Sequence, residues 1–180
     1  MKGMIFTEFM EMVEVTWSLD MVDTLIVRSN VASGGAYTSV GSYPHEEMIA
    51  LVGALSQETG IAAPDLIRTF GQHLFGRFAL AYPRFLQGIS GSFPFLTGIE
   101  NVIHAEVRKL YPDAEPPTFE VKTTADGLIL TYYSEHPFAD LAHGLIEGCV
   151  AHFSETIEVR REAVSDLAGA QARFILTLQS

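Results

Sequence analysis

The chain has 180 residues, of which 48% are hydrophobic and only 18% charged, where about 25% charged is usual. That composition, with twelve Phe, excludes a disordered chain, a coiled coil and a collagen-like chain, and a formal charge of −11 argues against nucleic acid as a partner. The apolar surplus therefore needs an outlet, which is a large core, an interface or an apolar ligand.

A membrane is a poor outlet. The longest stretches without Asp, Glu, Lys or Arg, residues 29–45 and 85–99, are broken by Gly, Ser, Pro or Thr, and neither approaches the ~20 apolar residues of a span. Glu8 interrupts the amino-terminal apolar run too early for a signal peptide, so a cytoplasmic protein is expected. A single cysteine, Cys149, leaves no intramolecular disulfide and no multi-cysteine zinc site, and its apolar surroundings read as core.

In chain order, the first 110 residues read mainly as helix. Phe6, Phe9, Met10, Val13 and Trp17 recur at helical spacing. A Gly/Ser/Tyr-rich loop at 33–43 follows, and Met48, Ile49, Leu51, Val52 and Leu55 make a second stripe closed by Gly60. Pro64 and Asp65 open a helix carrying Leu66, Ile67, Phe70, Leu74, Phe75 and Phe78. Gly88, Gly91 and Pro94 punctuate the next segment, and one continuous helix is expected from about Phe95 to Leu110. Pro116 and Pro117 then stop any helix. Thr118–Thr124 and Leu128–Tyr133 read as strands joined at Ala125-Asp126-Gly127, a hairpin signal. An amphipathic helix is expected over Phe138–Phe153, then strands at Thr156–Arg161 and Arg173–Leu178. The fold class is α+β: a helical amino-terminal half packed on a small antiparallel sheet with helices. One domain is expected, with a helical part over about 1–60 and an α+β part over about 61–180.

Two features carry chemistry. None of the six His belongs to an HExxH pair. His104 lies about 60° from Val107 at the edge of the stripe Leu96, Ile99, Ile103, Val107 and Leu110. It can face an apolar space with one ring nitrogen while a carbonyl holds the other, as a metal-binding imidazole requires. A satisfied boundary histidine fits the same periodicity. The second feature is Tyr132, Ser134 and His136, which strand alternation places on one side, where three donors can hold a carboxylate or a phosphate. A strand end with ordinary polar residues fits equally. A small hydrolase built from Tyr132, Ser134, His136 or His143 with Glu147 or Asp140 is a further reading; His143 and Glu147 are i, i+4 and are expected as a solvated pair. No nucleophile elbow, phosphate loop or metal motif supports it.

Taken together, the start MKGMIF, the segment Asn101 to Pro112 (NVIHAEVRKLYP), Pro116-Pro117, Tyr132-x-Ser134 and Gly144 to Gly148 (GLIEG) resemble the haem nitric oxide/oxygen-binding (H-NOX) family over essentially the whole chain. The resemblance implies haem b (iron protoporphyrin IX) with His104 as axial iron ligand. It places Tyr132, Ser134 and His136 at the haem propionates, in the family's Tyr-x-Ser-x-Arg motif. It makes Pro117 the proline that presses on the haem, and Ile5, Phe78 and Leu145 residues packed on the macrocycle. One departure stands out: His136 occupies the motif's Arg position. A bidentate, permanently charged fork is replaced by a ring with pH-dependent charge, so weaker haem retention is expected, worsening above neutral pH.

The resemblance also addresses gas choice. O₂-binding members place a Tyr donor where this chain has Leu141, and supporting polar residues where it has Phe9 and Leu74. An apolar pocket implies NO and CO as ligands without a stable O₂ complex. The family implies a sensor rather than an enzyme. Its stand-alone bacterial members imply a separate partner, either a histidine kinase or a cyclic-di-GMP enzyme. A degenerate module that holds haem weakly or not at all is the alternative that His136 raises.

Overall fold

The computed structural model describes residues 1–164 and 170–179. The chain opens with α1 (Gly3–Thr16) and α2 (Leu19–Ser29), then α3 (His45–Thr59) and the long α4 (Ala63–Ala81). After the short helix α5 (Ser92–Thr97) comes a π-helical segment, Ile99–His104, which runs directly into α6 (Ala105–Leu110). The hairpin β1 (Thr118–Thr123) and β2 (Gly127–Tyr133), α7 (Ala139–His152), β3 (Ile157–Glu162) and β4 (Ala170–Leu178) complete it.

Each boundary has a local cause. The Ser18 hydroxyl accepts the Met21 amide at 3.1 Å and starts α2. The sequence reading did not separate this helix from α1, because one capping serine inside a long apolar stretch is a weak stop. Gly60 closes α3 with φ +72°. The hairpin pairs Thr123 with Leu128 across the expected turn. The four strands, all antiparallel, lie in the order β1-β2-β4-β3.

The expected continuous helix over 95–110 is corrected. Gly98 ends α5, and the π-helical turns follow before α-helix resumes at Ala105. An apolar stripe does not reveal one extra residue per turn, so period alone missed the change. Single π turns inside α-helices are frequent at functional positions, and this one ends on His104.

Two cores form. One joins Phe6, Phe9 and Val13 of α1 to Leu25, Leu51, Leu55 and Phe70. The other packs alternate residues of the sheet, Leu128, Leu130, Phe174 and Leu176, beneath Ile146 and Cys149 of α7. Helix α4 contributes to both, and Leu145 touches both. This double role rests on a close crossing of α4 and α7. A Cβ built on Gly144 would stand 1.9 Å from the Arg68 carbonyl oxygen and 2.9 Å from the Gly71 Cα, so only glycine fits.

Candidate functional site

Between the helical part and the sheet lies a cavity of about 380 Å³, within the range of small-molecule sites. Ile5 of α1, Leu74 and Phe78 of α4, and Leu141 and Leu145 of α7 supply an apolar share of its lining. Ile99, Ile103, His104 and Val107 supply another, with Pro117 and Phe119 beside them. Tyr132, Ser134 and His136 add a polar group.

His104 is a buried imidazole on this lining. Its Nδ1 lies 2.8 Å from Glu100 Oε1. A carboxylate at neutral pH only accepts, so Nδ1 carries the proton and Nε2 keeps its lone pair. Burial outweighs the pull of Glu100 and of the Pro117 carbonyl, and holds the ring's pKa below its ordinary value. The imidazole is thus neutral, in one tautomer, with a nitrogen free for a metal. The sequence reading expected a carbonyl acceptor; the structure places the Glu100 carboxylate at Nδ1, with the Pro117 carbonyl also drawing on the ring. Glu100 was missed, although Glu-x-x-x-His places both side chains on one helix face.

Tyr132, Ser134 and His136 do meet at the cavity, but not through strand alternation. Strand β2 ends at Tyr133, with a register shift against β4 at Tyr132/Tyr133. The chain then turns, and the His136 amide donates to Ser134 Oγ at 3.0 Å. Having accepted that bond, the Ser134 hydroxyl can still donate its own proton. Burial pushes the Tyr132 phenol up, so it too remains a donor. The His136 ring packs against His45, tilted by 38° with centroids 4.2 Å apart. Sequence reasoning had no means of pairing residues so far apart.

The other expected residues divide. Ile5, Phe78, Pro117, Leu145, Leu74 and Leu141 line the cavity, as does Tyr82. Phe9 does not: it is fully buried in the helical core, edge-on to Phe70 at 5.3 Å. The solvated His143–Glu147 pair is also corrected. His143 is 7% exposed, its Nε2 is 3.6 Å from Glu147, and burial pushes its pKa down. Glu147 is clamped by the Arg68 guanidinium and by Gln72 at 2.8 Å, and Asp140 by Arg161. Ser134 therefore has no histidine–carboxylate line behind it, and the hydrolase reading finds no geometry.

At the rim, Lys2 Nζ lies 3.0 Å from both Asp113 oxygens, and Ser42 Oγ donates to Asp113 at 2.7 Å. The Ser42 and Lys2 contacts hold the Asp113 carboxyl down, to about 2. This clasp joins the segment after α6 to the start of α1. Among the described residues, no group of three or more His, Cys, Asp or Glu is placed to hold a bare metal ion. A flat apolar cofactor that brings its own iron suits the donor set better: one neutral nitrogen, apolar walls, and hydroxyl donors for a carboxylate edge.

Comparison with known proteins agrees. The model of the family described as Haem-NO-binding matches residues 2–161. The chain belongs to this haem-binding H-NOX family, whose members are sensor domains rather than enzymes. The unliganded Fe(II) H-NOX protein of K. algicida is 39% identical, with a TM-score of 0.91 over 100% of this chain and 97% of that one. The H-NOX of Shewanella woodyi, solved with IWP-051 in the Fe(II)CO state, is 36% identical, with a TM-score of 0.84 over 99% and 95%. The S. oneidensis H-NOX protein in its Fe(II)NO state is 25% identical, with a TM-score of 0.90 over 100% of both chains. A search of curated proteins finds no match. No helix among the described residues is long and apolar enough to cross a membrane.

The His136 departure has a measurable consequence. His136→Arg should slow transfer of haem to an acceptor protein, because a planar guanidinium fork grips a carboxylate through two parallel hydrogen bonds where an imidazole nitrogen makes one. Equal or faster loss in the Arg variant at pH 8 would count against His136 as a propionate contact.

Proposed function

We propose that the chain is a cytoplasmic nitric oxide sensor that holds haem b on His104, binds NO and CO but no stable O₂, and regulates a separate partner. The observation that carries this reading is the pairing of a neutral, carboxylate-held His104 with an apolar lining at Leu74 and Leu141. Haem held there by His104 would supply an iron able to bind a diatomic gas. Tyr132, Ser134 and His136 would hold the propionates, and Pro117 and Leu145 would pack on the ring. The distal part would be about residues 1–60 and the proximal part about 61–180.

The protein's own response starts at His104. It ends the π segment that runs directly into α6, so a displacement of its ring would be passed to that helix. The clasp from Asp113 to Lys2 and Ser42 then carries a shift of α6 toward α1. That is a local bonding change read by a two-part fold. The partner class, a histidine kinase or a cyclic-di-GMP enzyme, rests on the resemblance to stand-alone bacterial members.

Absorbance of the reduced protein under argon, NO, CO and air tests the reading. Spectra should change with NO and CO, and air should oxidise the iron without an intermediate oxygen-bound spectrum. Leu141→Tyr should change the last result, because a phenol at this position puts a hydrogen-bond donor into the apolar lining. A stable oxygen-bound spectrum in the unmodified chain would contradict the proposal. Haem content well below one per chain after reconstitution would favour the weak-binding module that His136 suggests.

A further inference from the structure

Glu100 does not line the cavity; it stands behind the ring that does. Its Oε1 takes two bonds, from His104 Nδ1 at 2.8 Å and from the Phe119 amide at 2.9 Å. Its Oε2 faces Arg108 at 3.5 Å. One carboxylate therefore ties the imidazole to β1 on one side and to α6 on the other. The pair also sits within a single π segment, Ile99–His104, so the acceptor and the ring it holds share one short piece of backbone.

The charge of this acceptor matters more than its position. A carboxylate accepts a stronger hydrogen bond than a neutral carbonyl. Pulling on the Nδ1 proton makes the ring more imidazolate-like and Nε2 a better electron donor to a metal. Electron donation through an axial ligand strengthens that bond and favours the oxidised metal. Arg108 works the other way, because it draws on the same carboxylate and is 45% exposed at its side chain.

We propose that Glu100 is a positioning residue that sets the strength of the His104–iron bond, and with it how readily NO releases His104. The inference rests on the haem-sensor reading above. Glu100→Gln keeps the shape and an oxygen for the Phe119 amide but loses the charge. In the haem-loaded full chain it should lower the iron–histidine stretching frequency in resonance Raman spectra and raise the midpoint potential. It should also speed loss of His104 from iron after NO about tenfold, the scale on which outer partners of metal ligands act. Arg108→Ala should move all three the opposite way, and as a surface change it should leave folding intact. A purely structural role for Glu100 gives no such opposition. If both variants load haem normally and match the unmodified chain in frequency and potential, the inference is overturned while the sensor reading stands. If the unmodified chain shows no iron–histidine band that His104→Gly removes, both fall together.

Discussion

Replacing His104 by Gly should leave the purified chain with little haem, and added imidazole should restore both the content and the spectrum. The ring is the one buried imidazole on the cavity lining, and Glu100 holds it in the tautomer a metal needs. Loss of outer partners of a metal ligand commonly costs about 10–100-fold in affinity, and loss of the ligand itself should cost no less. Folding should survive, because Glu100 keeps its bond from the Phe119 amide and the neighbouring helix turns carry the backbone. The measurement is haem per chain from the pyridine-haemochrome assay, with and without imidazole during expression. Full haem content and an unchanged Soret band in the variant would remove His104 from its assigned role.

The largest effect on stability should come from Gly144→Ala. The new Cβ would meet backbone, the Arg68 carbonyl oxygen at 1.9 Å and the Gly71 Cα at 2.9 Å, and backbone cannot swing aside. Helices α4 and α7 must then part, which disturbs both cores at once. Overpacking of this kind costs about 3 kcal/mol, or roughly 6–12 °C in Tm for a chain of this size. Gly76→Ala in α4, the helix that Gly144 of α7 packs against, is the control. Its Cβ would have nothing within 4 Å, and alanine favours a helix interior, so Tm should hold or rise. Equal melting of the two variants would mean that the crossing tolerates separation.

These two sites show what a sequence can and cannot carry. The hairpin at Thr118–Tyr133, α4 and α7 were legible because apolar period and turn residues are local signals, and the observed bounds differ by a residue or so. The role proposed for His104 was not legible from period; it came from the resemblance, through landmarks in order along the chain. Glu100 had a local signal in its i, i+4 spacing to His104 that was passed over, whereas its tie to the Phe119 amide, nineteen positions away, had none. Phe9 shows the reverse case: correspondence to a family position put it at the pocket, whereas its side chain lies in the helical core behind the lining. His143 was expected in solvent because its i, i+4 partner is charged, yet Arg68 from another helix takes that partner, and His143 is buried. Contacts between elements decide such cases.

The clasp at the cavity rim makes ionic strength a variable of the proposed response. Asp113 is 60% exposed at its side chain, so its attraction to Lys2 is open to counterions, and such pairs fade as salt shortens the range of charge interactions. The Ser42 hydroxyl bond to the same carboxylate is short and local, and persists. Rising salt would therefore soften the joint between the start of α1 and the segment after α6 without undoing it. The chain should then pass on a given displacement of His104 less completely in a saline medium than in a dilute one.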